Sequence, residues 1–190
     1  MKYGQVTLGR VEAVLNKLGG EDGIDRFLRG ELVVMVKEAE LLKRVEIATV
    51  SGAKEFVASE HLKEANVGWM DDNFKKLFLK KVEENIKDAT IGVYRLERES
   101  LSIPIIAELG NHAEIQLAHL FELLKAQSIG QNGYLFTYFD NIAHVRGSDG
   151  DLRTVSVCWS LTSKFWVVRA LSVESRDRWN EGRRVLSRES

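Results

Sequence analysis

Residues 131–171 read QNGYLFTYFDNIAHVRGSDGDLRTVSVCWSLTSKFWVVRAL, and this stretch decides the fold. Apolar and polar side chains alternate through it with a period of two, the period of an extended chain. Asn132-Gly133 marks a turn before the aromatic run 134–139, and further strand-like runs follow at 142–146, 152–159 and 165–171. Residues 147–151 and 160–164 separate the last three. Consecutive strands joined by short reversals predict an antiparallel meander. Such a sheet needs an apolar cover on one face at least.

Two amphipathic helices upstream are the expected cover. In the first, Phe74, Leu77, Phe78, Val82 and Ile86 form a stripe, and Asp71 or Asp72 can cap the first turn. In the second, Leu117, Leu120, Phe121 and Leu124 share a face, with Asn111 and Glu114 in capping-box spacing. Ile91, Val93 and Tyr94 suggest a strand between them. Pro104 makes 103–106 an edge strand or a helix entrance. The fold class expected is therefore α+β: N-terminal helices followed by a C-terminal antiparallel β-meander packed against amphipathic helices.

The first third is weaker in pattern. Val11, Val14, Leu15 and Leu18 lie on one helical face, Gly19-Gly20 stops that helix, and Ile24, Phe27 and Leu28 mark a second, ended by Gly30. This helical corner buries little alone and must pack on something else. Residues 32–36 and the alternating Val45, Ile47 and Thr49 read as strands, 38–43 as a helical turn or loop, and 51–65 as helix. A division near Gly68 gives 1–68 as a helical corner with short strands and 69–190 as the α+β core.

Composition sets outer limits on function. The 190 residues are 44% apolar, and 27 basic against 28 acidic side chains leave a formal charge of -1. That balance argues against a disordered chain and against a global polycation for nucleic acid. The single cysteine, Cys158, lies in a strand-like run and reads as a reduced core thiol. No apolar core of a signal peptide follows Lys2, and no run reaches the roughly 18 apolar residues a bilayer crossing needs. A cytoplasmic location without membrane contact is expected.

Motifs for cofactor chemistry are missing: no Rossmann or Walker glycine pattern, no Gly-x-Ser-x-Gly elbow, and no cysteine cluster for zinc. His112 and His119 are seven apart on a helix, about 10 Å along its axis, too far to grip one metal. No cofactor and no metal is expected. The candidate catalytic group is His119, Asp140 and His144, which would act as an acid–base pair if the strands brought an imidazole beside a carboxylate. The competing reading of Asp140-Asn141 is a polar turn.

A second candidate lies at the C-terminal end. Arg169, Arg176, Arg178, Arg183 and Arg184 are interspersed with Trp166 and Trp179, a mixture that single-stranded nucleic acid surfaces use. Glu174, Asp177 and Glu181 lie among them, so ion-paired packing of the tail competes, with Trp179 anchoring it over a sheet edge.

Residues 18–32 (LGGEDGIDRFLRGEL) and 179–190 (WNEGRRVLSRES) are distinctive word patterns. Through them the chain resembles a group of small bacterial hypothetical proteins with no assigned function. The resemblance spans most of the length and implies no activity, ligand or catalytic residue. The favoured expectation is a non-catalytic binding or regulatory protein, with a protein partner as one option. A small hydrolase or nuclease using the His/Asp group is the first alternative. A nucleic-acid-binding protein using the arginines is the second, less favoured than the first reading.

Overall fold

The computed structural model describes residues 7–33 and 40–189, and the chain divides into two compact units, Met1–Ala39 and Glu40–Ser190. Gly68, where the sequence suggested a division, lies inside the second unit.

In the first unit, α1 (Leu8–Leu18) and α2 (Gly20–Leu28) form the expected helical corner. Gly19 turns it with φ 97°, a left-handed conformation that glycine adopts without steric cost, and its N–H closes on the Leu15 and Asn16 carbonyls. The helices meet so closely at Gly23 that a Cβ there would lie 1.6 Å from the Leu18 carbonyl oxygen. Most of the strand expected at 32–36 lies outside the described residues.

The second unit is built on a seven-stranded sheet with strand order β1-β5-β9-β6-β7-β8-β3. Its strands are β1 (Leu42–Val50), β3 (Val67–Met70), β5 (Ala89–Leu96), β6 (Asn141–Arg146), β7 (Leu152–Ser160), β8 (Phe165–Ser172) and β9 (Arg184–Arg188). A separate two-stranded sheet pairs β2 (Ala53–Val57) with β4 (Val82–Ile86). The architecture is α+β. β6, β7 and β8 are the antiparallel meander read from the alternation, while β9 joins β6 in parallel and β3 joins β8 in parallel.

The helices are α3 (Ala58–His61), α4 (Asp72–Leu77), α5 (Ser102–Leu109) and α6 (Leu117–Ala126). On one sheet face, Leu117, Leu120 and Phe121 of α6 pack with Phe56, Phe74, Ala143 and Val145 in the larger core. On the other face, Ile105 and Leu109 of α5 pack with Ile142, Val185, Leu96 and Trp179. Pro104 sits in the first turn of α5, where its missing N–H costs no intrahelical bond, so 103–106 is a helix entrance.

Four local expectations are corrected. The stripe from Phe74 to Ile86 is not one helix: α4 stops after Leu77, and 82–86 is strand β4. Asn85 has φ 51°, which an α-helix does not permit, and Val82 is half exposed while Glu83 points inward. Residues 53–57, expected within a helix, form β2. The run 134–139 is a loop whose amides are claimed by side chains rather than by a neighbouring strand. The Leu135 N–H donates to the Gln127 side-chain oxygen at 2.7 Å and the Phe136 N–H to that of Asn141 at 2.6 Å. Finally, Gln116 and not Asn111 occupies the cap position of α6, and Asn111 sits in a 3-10 turn, Gly110–His112. Asp71 does cap α4, accepting the Phe74 N–H at 2.8 Å.

Candidate functional site

The three residues expected to work together are held apart. β6 alternates across the sheet: Ala143 and Val145 face the α6 core, Ile142 the α5 core, so His144 faces α5. It is fully buried opposite Thr154, whose hydroxyl donates to Ser102 Oγ at 2.9 Å; the Trp179 indole N–H donates to the same oxygen at 3.0 Å. Neither ring nitrogen of His144 has a hydrogen-bond partner among the described residues. Burial alone lowers its pKa from 6.5 to about 4, so the ring is neutral.

Asp140 stands just before β6, four residues from His144 along extended backbone, about 13 Å. Its carboxylate pairs with the Arg183 guanidinium at 3.3 Å. His119 lies on α6, against the other face of the sheet. Its Nε2 donates to the Lys87 carbonyl at 2.9 Å, since a carbonyl oxygen only accepts. Among the described residues, no carboxylate stands within hydrogen-bonding distance of either imidazole.

The arginines are likewise dispersed and engaged. Arg178 pairs with Glu99 at 2.6 Å, and Arg169 lies over the Trp69 ring at 5.8 Å. Arg184 donates to the Gly133 carbonyl at 2.6 Å and to that of Tyr134, and its guanidinium lies 5.4 Å from the Phe136 ring centre. Arg183, besides Asp140, lies over Phe139. Arg176 is exposed, with no ion pair among the described residues. The acids that neutralise this region are thus Glu99, Asp140 and Glu46 rather than the nearby Glu174, Asp177 and Glu181. Trp179 is buried against α5, not laid over a sheet edge.

His119 instead belongs to a polar groove. A hollow of about 360 Å³ is lined by Lys87, Asp88, Gln116, His119, Arg188 and Glu189, with the hydroxyls of Thr49 and Thr90 at its side. A second hollow, about 410 Å³, shares Lys87, Gln116 and Arg188 and extends to Asn85, Asn111 and Glu114. The floor is set by α6, whose N-terminus is held in place by Glu83. That buried carboxylate accepts the Leu117 and Ala118 N–H groups at 3.1 and 3.0 Å and pairs with Lys81 at 2.7 Å. The positive end of α6 is therefore already occupied from within the chain.

Charge in the groove is unevenly spent. Asp88 accepts the Gly52 N–H at 2.8 Å. Glu114 takes both ends of the Arg146 guanidinium, at 3.1 and 2.6 Å. Glu189 takes Arg44 at 3.3 Å and the Tyr94 hydroxyl at 3.0 Å. By contrast, the Lys87 ammonium and the Arg188 guanidinium form no ion pair among the described residues, although both line both hollows. Glu114 and Glu189 are paired with cations from outside the groove and Asp88 only with a backbone amide, so Lys87 and Arg188 leave the groove one positive charge in excess.

Sequence reasoning singles out His119 but not Lys87, and Arg188 stands out only as one more arginine of the C-terminal segment. No local pattern in the sequence relates Lys87 to Arg188. The half-buried Cys158 thiol has its pKa raised, by burial first and by the Asp140 charge second, which keeps it protonated. Among the described residues, no cluster of three or more potential ligands could hold a metal ion, and no helix is long and apolar enough to cross a membrane. No family model matches the chain, and no curated protein or solved structure matches it.

Proposed function

We propose that the protein is a non-catalytic binding protein that takes a small anion in the groove beside α6. The observation that carries this reading is the excess of two cations, Lys87 and Arg188, over Asp88, the groove acid that has no ion pair among the described residues, while Glu114 and Glu189 are paired with Arg146 and Arg44. An anion placed between those cations gains charge-assisted hydrogen bonds, the strongest class available at a partly exposed site. The lack of a carboxylate next to His119 or His144 favours binding over acid–base chemistry. A cytoplasmic location belongs to the same reading.

Titration with inorganic phosphate, followed by amide NMR shifts and calorimetry, tests it. Shifts should concentrate at residues 87–90, 116–119 and 188–189. Lys87→Ala and Arg188→Ala should each weaken binding about tenfold with thermal melting unchanged. Binding that ignores both substitutions would overturn the assignment.

A further inference from the structure

The two hollows meet at the free cations, and what surrounds that meeting point restricts the ligand further. On one side stand the Thr49 and Thr90 hydroxyls, which face each other across the β1–β5 pairing. On the other stand the side-chain amides of Asn85 and Asn111, with Gln116 common to both hollows. These are neutral groups that both donate and accept hydrogen bonds. Among the described residues, no Phe, Tyr or Trp lines either hollow.

We infer that the ligand is a non-aromatic polyol phosphate, with its phosphate at Lys87 and Arg188 and its hydroxyls reaching Thr49 and Thr90. This rests on the anion-binding reading above. A hydroxylated carbon chain can both donate to and accept from such side chains. A nucleobase needs a flat apolar or cationic partner for its ring, and base–aromatic stacking supplies much of its affinity elsewhere. Here both cations are committed to the phosphate and no aromatic face is offered. Ala89 and Ile115 are the apolar residues on the two linings, and neither offers a flat face to a ring.

The test compares inorganic phosphate, glycerol 3-phosphate and adenosine monophosphate by calorimetry on the full chain. Glycerol 3-phosphate should bind about tenfold more tightly than phosphate, and adenosine monophosphate no more tightly than phosphate. The double substitution Thr49→Val and Thr90→Val keeps side-chain shape and should erase the glycerol advantage while phosphate affinity and thermal melting stay unchanged. Tighter binding of adenosine monophosphate than of glycerol 3-phosphate, or a glycerol advantage that survives the double substitution, overturns the inference and leaves the anion site standing. Phosphate binding with no preference between the three does the same. If none of the three binds the folded protein, the anion site itself falls and the inference falls with it.

Discussion

Glu83 accepts the Leu117 amide hydrogen at 3.1 Å across 34 residues of sequence, so a strand residue caps a helix formed much later in the chain. The same carboxylate takes the Ala118 N–H and the Lys81 ammonium, which satisfies two orphan helix donors and neutralises a buried charge together. Glu83→Ala would leave those two donors without their acceptor and Lys81 without its ion-pair partner, with only the Arg146 carbonyl still accepting from the ammonium. The expected loss is about 3 kcal/mol, read from urea midpoints. A loss below about 1 kcal/mol would show that water replaces the carboxylate at little cost.

The buried His144 makes stability depend on pH. Its folded pKa, about 4, lies below the ordinary 6.5, so the unfolded chain binds the proton more readily than the folded one. The contribution is complete above about pH 6.5 and is lost as pH falls toward about 4. The chain should be about 2 kcal/mol less stable at pH 5 than at pH 7 from this group alone. His144→Leu, which has no proton to bind, should remove that part of the slope. If the substituted chain loses stability with falling pH as steeply as the original, His144 is not its source.

Phe78 and Phe121 are both fully buried in the larger core. Each Phe→Ala substitution should cost about 3 to 5 kcal/mol, the transfer of the ring plus the cavity it leaves. Equilibrium denaturation of both variants provides the measurement. Phe121 also meets Phe56 edge-on at a ring separation of 5.2 Å, so Phe56→Leu and Phe121→Leu should be non-additive in a double-mutant cycle.

Gly52 sits where no side chain fits. A Cβ there would lie 2.1 Å from the Ile86 carbonyl oxygen and 2.5 Å from the Lys87 carbonyl carbon. These are backbone atoms and cannot swing aside. Gly52→Ala should therefore cost about 1 to 3 kcal/mol and displace the Lys87 segment. The same substitution should weaken phosphate binding at the groove, which calorimetry would detect. An alanine variant with unchanged melting and unchanged binding would contradict the close approach.

The correct and incorrect expectations have separable causes. The 142–171 meander was legible because alternation at a period of two specifies both the strands and the faces they bury. The 74–86 stripe misled because Phe74, Phe78, Val82 and Ile86 recur every four residues, as a helix requires, while the last two belong to a strand paired with β2. Asp71 as a cap was legible, since its interaction is local. Glu83 as a cap was not, because its partners are remote. Of the candidate groove, only His119 stood out by residue type. Lys87 and Arg188 look like any other cations until folding shows that Glu114 and Glu189 beside them are paired with Arg146 and Arg44.

By itself, the sequence determined what depends on neighbours along the chain. That includes the α+β class, the β6–β8 meander, the glycine-stopped helical corner and the apolar face of α6. Tertiary structure decided the strand order that places β9 between β5 and β6, and the packing of α6 and α5 on opposite sheet faces that separates His119 from His144. It also decided which charges are paired. Periodicity is a local property of a chain, whereas charge compensation is set by which distant segments come to share a surface.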